Sequence, residues 1–289
     1  MKHHPLTPYM FLLPAMILLS AFVFYPALEA FRLSFTDYNI INPPQYVGTE
    51  NYEKLWKDGT FWLTLRNTFL YLFVVVPALV VLPLILAIVV NRKLKGIGWF
   101  RTAYYVPVVT SMVVAGLAWK WVFAEKGVLN FWLQALGVID SPVEWLTSEN
   151  LAIFSVMAVT VWKGLGYYMV IYLAGLQSIS KELYEAAKMD GADGWRKHWY
   201  VTIPMMKPSI LLVAVMSSIA AMKVFEEIYI MTGGGPLNAS KTLVFYIYER
   251  AFDSLDMGYA SAIGCVLFVI VLVLSILQIK IAERREMHV

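Results

Sequence analysis

TFLYLFVVVPALVVLPLILAIVV, running from Thr68 to Val90, carries no charged side chain. A helix crosses about 30 Å of hydrocarbon with about 20 mostly apolar residues, at about 1.5 Å of rise each. The stretch is long enough to cross, and it is apolar on every face. With no period of two, it lacks the alternation of an outer-membrane barrel strand. Working outward, five more runs of the same kind appear: Tyr9 to Phe31, Thr102 to Phe123, Leu151 to Leu176, Pro208 to Tyr229 and Tyr259 to Ile281. Six helical spans are expected, and the fold class is all-α and polytopic.

Composition leads to the same class. Of 289 residues, 60% come from the set AVILMFWYC and only 15% are charged, against about 25% in ordinary soluble domains. Mean hydropathy is +0.64. Such a chain cannot cover a water-facing surface. Hydrophobicity, a net charge of +3 and the single Cys265 exclude disorder, a nucleic-acid-binding partner surface and a disulfide scaffold. The membrane lipid itself is the solvent. The first run resembles a secretory signal but is too long and lacks a small-residue cleavage site, so it is read as a retained helix. Trp62, Tyr104, Trp119, Trp121 and Trp145 crowd the run ends, where amphipathic rings suit the headgroup layer.

Orientation follows from Lys and Arg in the connections. With the N-terminus in the cytoplasm, 13 basic residues fall inside, among them Lys2, Arg92, Lys93, Lys95, Lys188, Lys197, Arg284 and Arg285, against 7 outside. Positive charge prefers the cytoplasmic side, which places both termini there. No internal repeat, low-complexity tract or composition break appears, so residues 1–289 are expected to form one membrane domain.

One connection is more than a tether. Gln177 to Lys207 is long and carries its own helix signals. Ser180 suits an N-cap, Glu182 suits the first turn, and Gly191 suits a left-handed closing position after Lys188 and Asp190. Leu183, Ala186 and Ala187 share a face, giving a short helix with small residues on its docking side. Asp193 suits the start of a second turn through Trp195 and Trp199, and Pro204 the return into the membrane. By pattern alone, an amphipathic turn resting on headgroups reads the same way.

The string Glu185-Ala186-Ala187, three residues, Gly191, nine residues, then Val201-Thr202-Ile203-Pro204 resembles the EAA loop of permease subunits in bacterial binding-protein-dependent ABC importers. Val201 and Ile203 stand where the family has Ile and Leu, changes that preserve shape. Leu173 to Ile179, Asp190-Gly191-Ala192, Thr232 to Pro236 and Val47 to Tyr52 are similar to the carbohydrate-uptake branch, of maltose or glycerol-phosphate type. The resemblance implies a type I importer permease fold whose EAA helix couples to a cytoplasmic ATPase. It makes Glu185 the polar anchor, Ala186 and Ala187 the close-packing face and Gly191 the bend, with Asp190 and Pro204 also among the ATPase-coupling residues. It also implies a second homologous permease subunit, two ATP-binding subunits, an extracytoplasmic solute-binding protein and an inner-membrane location. No G-x-x-x-x-G-K-[ST] phosphate loop occurs in this chain. ATP and Mg therefore belong to the partner subunits, no cofactor is expected here, and the chain is not an enzyme.

Charges inside spans are costly and mark function by default. Lys163 lies near the middle of the fourth run beside Trp162, with Tyr167 and Tyr168 following. Lys223, Glu226 and Glu227 lie in the outer half of the fifth, spaced so that Lys223 reaches either acid on one helix face. Trp162, Lys163, Tyr168, Lys223, Glu226 and Glu227 are the candidate substrate-pathway residues. Snorkelling or structural pairing serves Lys223 equally well, and packing or belt roles serve the aromatics. His3, His4, His198 and His288 lack metal-site spacing, and Cys265 is an apolar-span thiol. Gly233 to Gly235 has no following Lys and reads as a flexible outer loop. Two other classes compete: a self-sufficient ion-coupled carrier, which calls for inverted repeats and paired carboxylates, and an intramembrane enzyme, for which no catalytic set is present.

Overall fold

A computed structural model describes residues 7–91 and 96–286, with side chains for 9–91 and 96–281. Lys2, His3, His4, Arg92, Lys93, Lys95 and His288, and the side chains of Arg284 and Arg285, lie outside the described residues. The chain divides into two compact units, Met1–Phe61 with Tyr246–Ile270, and Trp62–Phe245 with Val271–Val289. In chain order the helices are α1 (Thr7–Leu19), α2 (Tyr25–Leu33), α3 (Glu50–Lys57), α4 (Gly59–Val90), α5 (Ile97–Val109), α6 (Met112–Val122), α7 (Val128–Ala135), α8 (Ala152–Ser178), α9 (Lys181–Met189), α10 (Ile203–Met205), α11 (Lys207–Met222), α12 (Glu226–Met231), α13 (Leu243–Tyr248) and α14 (Met257–Glu286). One two-residue hairpin, β1 (Thr36–Asp37) against β2 (Gln45–Tyr46), interrupts them.

In the first unit, α1 and α2 join through a π-helical turn, Ser20–Phe24, into one apolar helix with none of its hydropathic window buried within the chain. A helix greasy on every face is stable only where its surroundings are not water. The loop that follows is built around Asn51, whose Nδ2 donates to the Ser34 and Thr36 carbonyls at 2.9 Å each. Gly258 permits backbone contact there, since a Cβ would sit 2.0 Å from the Thr36 oxygen. Asp58 Oδ2 accepts from the hydroxyls of Tyr246 at 2.5 Å and Tyr259 at 2.6 Å, and Oδ1 from the Thr60 amide at 2.8 Å. Burial pushes this carboxyl up, but those donors outweigh burial and hold it below the ordinary carboxylate value. Burial and the Asp58 partner push the Tyr246 phenol up to about 12. Arg250 donates to the Tyr246 hydroxyl at 2.9 and 2.8 Å, and Lys54 pairs with Asp256 at 2.8 Å.

In the second unit, α8 carries the longest set of buried side chains, including Val156, Met169 and Tyr172. Gly166 lets α5 approach to backbone contact: a Cβ would lie 2.0 Å from the Tyr104 carbonyl oxygen. Gly116 lets α6 close on the Ile230 side chain of α12, whose Cγ2 would lie 2.9 Å from a Cβ. Asn130, fully buried, ties the loop after α6: its Nδ2 donates to the Ala124, Glu125 and Val143 carbonyls, and its Oδ1 accepts from the Val143 amide and Trp145 Nε1.

Two runs expected as single spans are broken. The third bends by 101° between α5 and α6, because Thr110 and Ser111 are both extended, with ψ of 135° and 140°. The fifth ends early: α11 stops at Met222, and Lys223, Val224 and Phe225 separate it from α12. It is also preceded by a helical stretch, His198–Met205, bent 58° from α11. Among the described residues four helices remain long and apolar enough to cross unaided, six with the bent pairs. Hydropathy counts apolar residues and is blind to which backbone groups stay paired, so breaks inside greasy runs escape it.

Candidate functional site

The segment between α8 and α11 forms an elbow. Ser180 stands at the N-cap of α9 with extended backbone, φ −65° and ψ 145°, although its hydroxyl makes no capping bond. Glu182 sits in the first turn and Lys188 in the last, both favourable to the helix dipole. Gly191 closes the helix at φ +78°, with Gly191 N donating to the Lys188 carbonyl at 3.1 Å and Ala192 N to the Ala187 carbonyl at 2.8 Å. Together these two bonds form the Schellman motif, which requires a left-handed residue at that position. Asp190 is the C-cap itself. A second left-handed glycine, Gly194, follows with its amide on Asp193 Oδ1 at 2.7 Å.

No residue of α9 is buried within the chain: Glu185 and Ala186 are exposed and Ala187 half-buried. The helix is nevertheless fixed in place. Tyr184 Oη lies 3.1 Å from the hydroxyl of fully buried Thr202, and His198 Nδ1 lies 3.1 Å from the same oxygen. The π-helical turn His198–Thr202 leads directly into α10, where Pro204 needs no amide partner. The contact between Tyr184 and Thr202 is not among the sequence expectations. The cue is local: Thr202 is the lone hydroxyl between two β-branched residues.

The intramembrane candidates separate. Lys163, half-buried on α8, donates from Nζ to the carbonyls of Pro107, Val108 and Thr110 at 3.1, 3.3 and 2.8 Å. These are carbonyls that α5 leaves unpaired where it breaks, so one ammonium replaces the missing turn. One turn earlier, the Thr160 hydroxyl bonds Tyr71 of α4 and lies 3.4 Å from Glu227 Oε1 at the start of α12. Adjacent positions on α8 thus serve both broken spans. Trp162 meets Trp119 edge-on at 5.3 Å, and Tyr168 is buried with Tyr167 edge-on at 5.1 Å. Lys223 and Glu226 are exposed. Lys223 closes α11 and the two acids open α12, so the shared helix face expected for them does not exist. No ion pair joins Lys223 to Glu226 or Glu227 among the described residues.

Residues 61–286 match the family model described as the binding-protein-dependent transport system inner membrane component. The chain is 37% identical to the lactose transport system permease protein LacF of Rhizobium radiobacter, over 99% of this chain and 97% of that one. It is 36% identical to the arabinooligosaccharides transport system permease protein AraP of Bacillus subtilis, over 95% and 88%. Among solved structures, one chain of a bacterial alginate ABC transporter, in complex with an alginate pentasaccharide-bound periplasmic protein, superposes with a TM-score of 0.83 at 26% identity, covering 96% of this chain and 93% of that one. An ion-coupled carrier and an intramembrane enzyme are different classes from this one. The chain therefore belongs to the binding-protein-dependent inner-membrane permeases, as a multi-pass subunit of an ABC importer whose ATPase resides in separate subunits.

Proposed function

We propose that the chain encloses half of a pathway that brings a sugar or sugar-like solute into the cytoplasm, driven by ATP that its partners hydrolyse. The elbow carries this reading. An exposed helix of nine residues, closed by a Schellman motif and pinned through Tyr184, is rigid enough to transmit a push, and leaves Glu185 and Ala186 free for a partner. A second homologous permease completes the pathway, two ATP-binding subunits hold ATP and Mg with one of them docked on Glu185 to Gly191, and an extracytoplasmic binding protein delivers the solute. Both termini are cytoplasmic. The carbohydrate class is supported by the names of the relatives, which concern lactose, arabinooligosaccharides and sulfoquinovosyl glycerol.

Within the spans, Glu227 and Trp162 flank the two breaks and are offered as solute contacts, since carboxylate and ring face suit hydroxyl-bearing ligands. Lys163 and Tyr168 hold helices, and Lys223 and Glu226 line the exposed turn between α11 and α12. The test is co-purification of the whole importer with wild-type chain and with Glu185→Lys. Charge reversal should release the ATP-binding subunits while the two permeases stay together; unchanged recovery of all subunits and unchanged solute uptake would refute the docking assignment.

A further inference from the structure

Two clefts meet behind the elbow, on the side of α9 that faces the spans. The larger, about 430 Å³, is reached from the ends of α4 and α8, at Ile88 and Leu176; its charged lining is Glu185, Lys188, Asp193 and Lys197, and His198 lies beside them. The smaller, about 240 Å³, is apolar: Ile85, Ile88 and Val89 of α4 form one wall and Trp195 another. They share Ile88, Lys197 and His198. The result is a greasy groove along the last turns of a membrane span, opening at the hydrocarbon boundary into a polar chamber.

We propose that this composite cleft binds a membrane phospholipid bearing an amine, with an acyl chain along α4 and the headgroup behind α9. The two ends match the two halves of such a molecule. Ile85 and Val89 are exposed although they lie on an apolar span, so an acyl chain is their natural neighbour. Lys188 and Lys197 have no hydrogen-bond or ion-pair partner among the described residues, which leaves two cations for one phosphodiester. Trp195, 74% exposed at this level, is the ring type that settles among headgroups. Asp193 decides the headgroup: it lines the chamber beside the two lysines and offers an acceptor for N–H donors, so the chamber suits a zwitterion with a primary ammonium beside its phosphate better than a purely anionic lipid. Bound lipid would fill the space between the elbow and the spans and stiffen the joint through which the helix moves.

The experiment uses the assembled importer in nanodiscs of phosphatidylcholine with 30% phosphatidylethanolamine, or with 30% phosphatidylglycerol, followed by gentle detergent release and native mass spectrometry of the retained lipid. Wild type should retain phosphatidylethanolamine in preference, and the exposed-site double variant K188Q/K197Q should retain about tenfold less. A second variant, Ile88→Trp, fills the groove with the cations intact and should lose the lipid equally; the distant Lys57→Gln should keep it. Retention unchanged in both cleft variants overturns the site. Displacement by 10 mM inorganic phosphate would assign a free-anion site instead, and preference for phosphatidylglycerol would overturn the headgroup assignment.

Discussion

Replacing Lys163 by Met removes a charge from mid-membrane, which by hydropathy alone should stabilise the chain. The structure predicts the reverse. Three ammonium-to-carbonyl bonds join Lys163 to Pro107, Val108 and Thr110, and bonds to a charged group contribute about 1.5–3 kcal/mol each. Against that gross 4.5–9 kcal/mol stands the relief of burying an ammonium at a helix centre, about 2.5–3.5 kcal/mol. The net loss is about 1–6.5 kcal/mol, and it falls on the break between α5 and α6. At about 2–4 °C per kcal/mol for a chain of this order of size, a mid-range loss of about 3 kcal/mol lowers the melting temperature by about 6–12 °C. Thermal unfolding of the reconstituted chain measures the total, and amide hydrogen exchange across 107–113 localises it. Lys163→Arg keeps donors in reach and should recover most of the loss. If Lys163→Met melts within a degree of wild type with unchanged exchange at the break, the carbonyl clamp has no energetic role.

Three further outcomes follow from geometry already described. Gly191→Val forces a β-branched residue to φ +78° with open space around it, a backbone cost of about 1–2 kcal/mol confined to the elbow; melting should hardly move while ATP-driven uptake falls, and intact uptake would remove the case for the bend. Gly166→Ala drives a methyl to 2.0 Å from the Tyr104 oxygen, so α5 and α8 must separate; a destabilisation of about 1–3 kcal/mol is expected from overpacking, and an unshifted melting curve would show that the contact yields freely. Asp58 has a folded pKa below its unfolded value near 3.9, so its contribution is complete above that value and disappears as pH falls through the folded one. Melting curves between pH 6 and pH 2.5 should therefore show an acid-side loss that Asp58→Asn lacks; equal pH profiles for the two proteins would contradict the Tyr246 and Tyr259 donors.

The sequence by itself determined the class and the helix stop at Gly191. Twenty-odd apolar residues in succession have one stable outcome in lipid, because a helix pairs its own backbone groups, and that follows from Thr68 to Val90 without any neighbour. Gly191 and the residues before it specify a helix stop through contacts only three to five positions apart, which is why that closure was legible. Tertiary structure decided what long-range contacts decide. Thr102 to Phe123 is apolar enough to be one helix, yet it breaks at Thr110, where α8 supplies an ammonium for the carbonyls the break leaves open. The same contact makes Lys163 a clamp on the break, and the gap after Met222 takes Lys223 away from the acids it was expected to meet. Helical spacing assumes an unbroken helix, and only the packing of one span on another shows where that assumption stops holding.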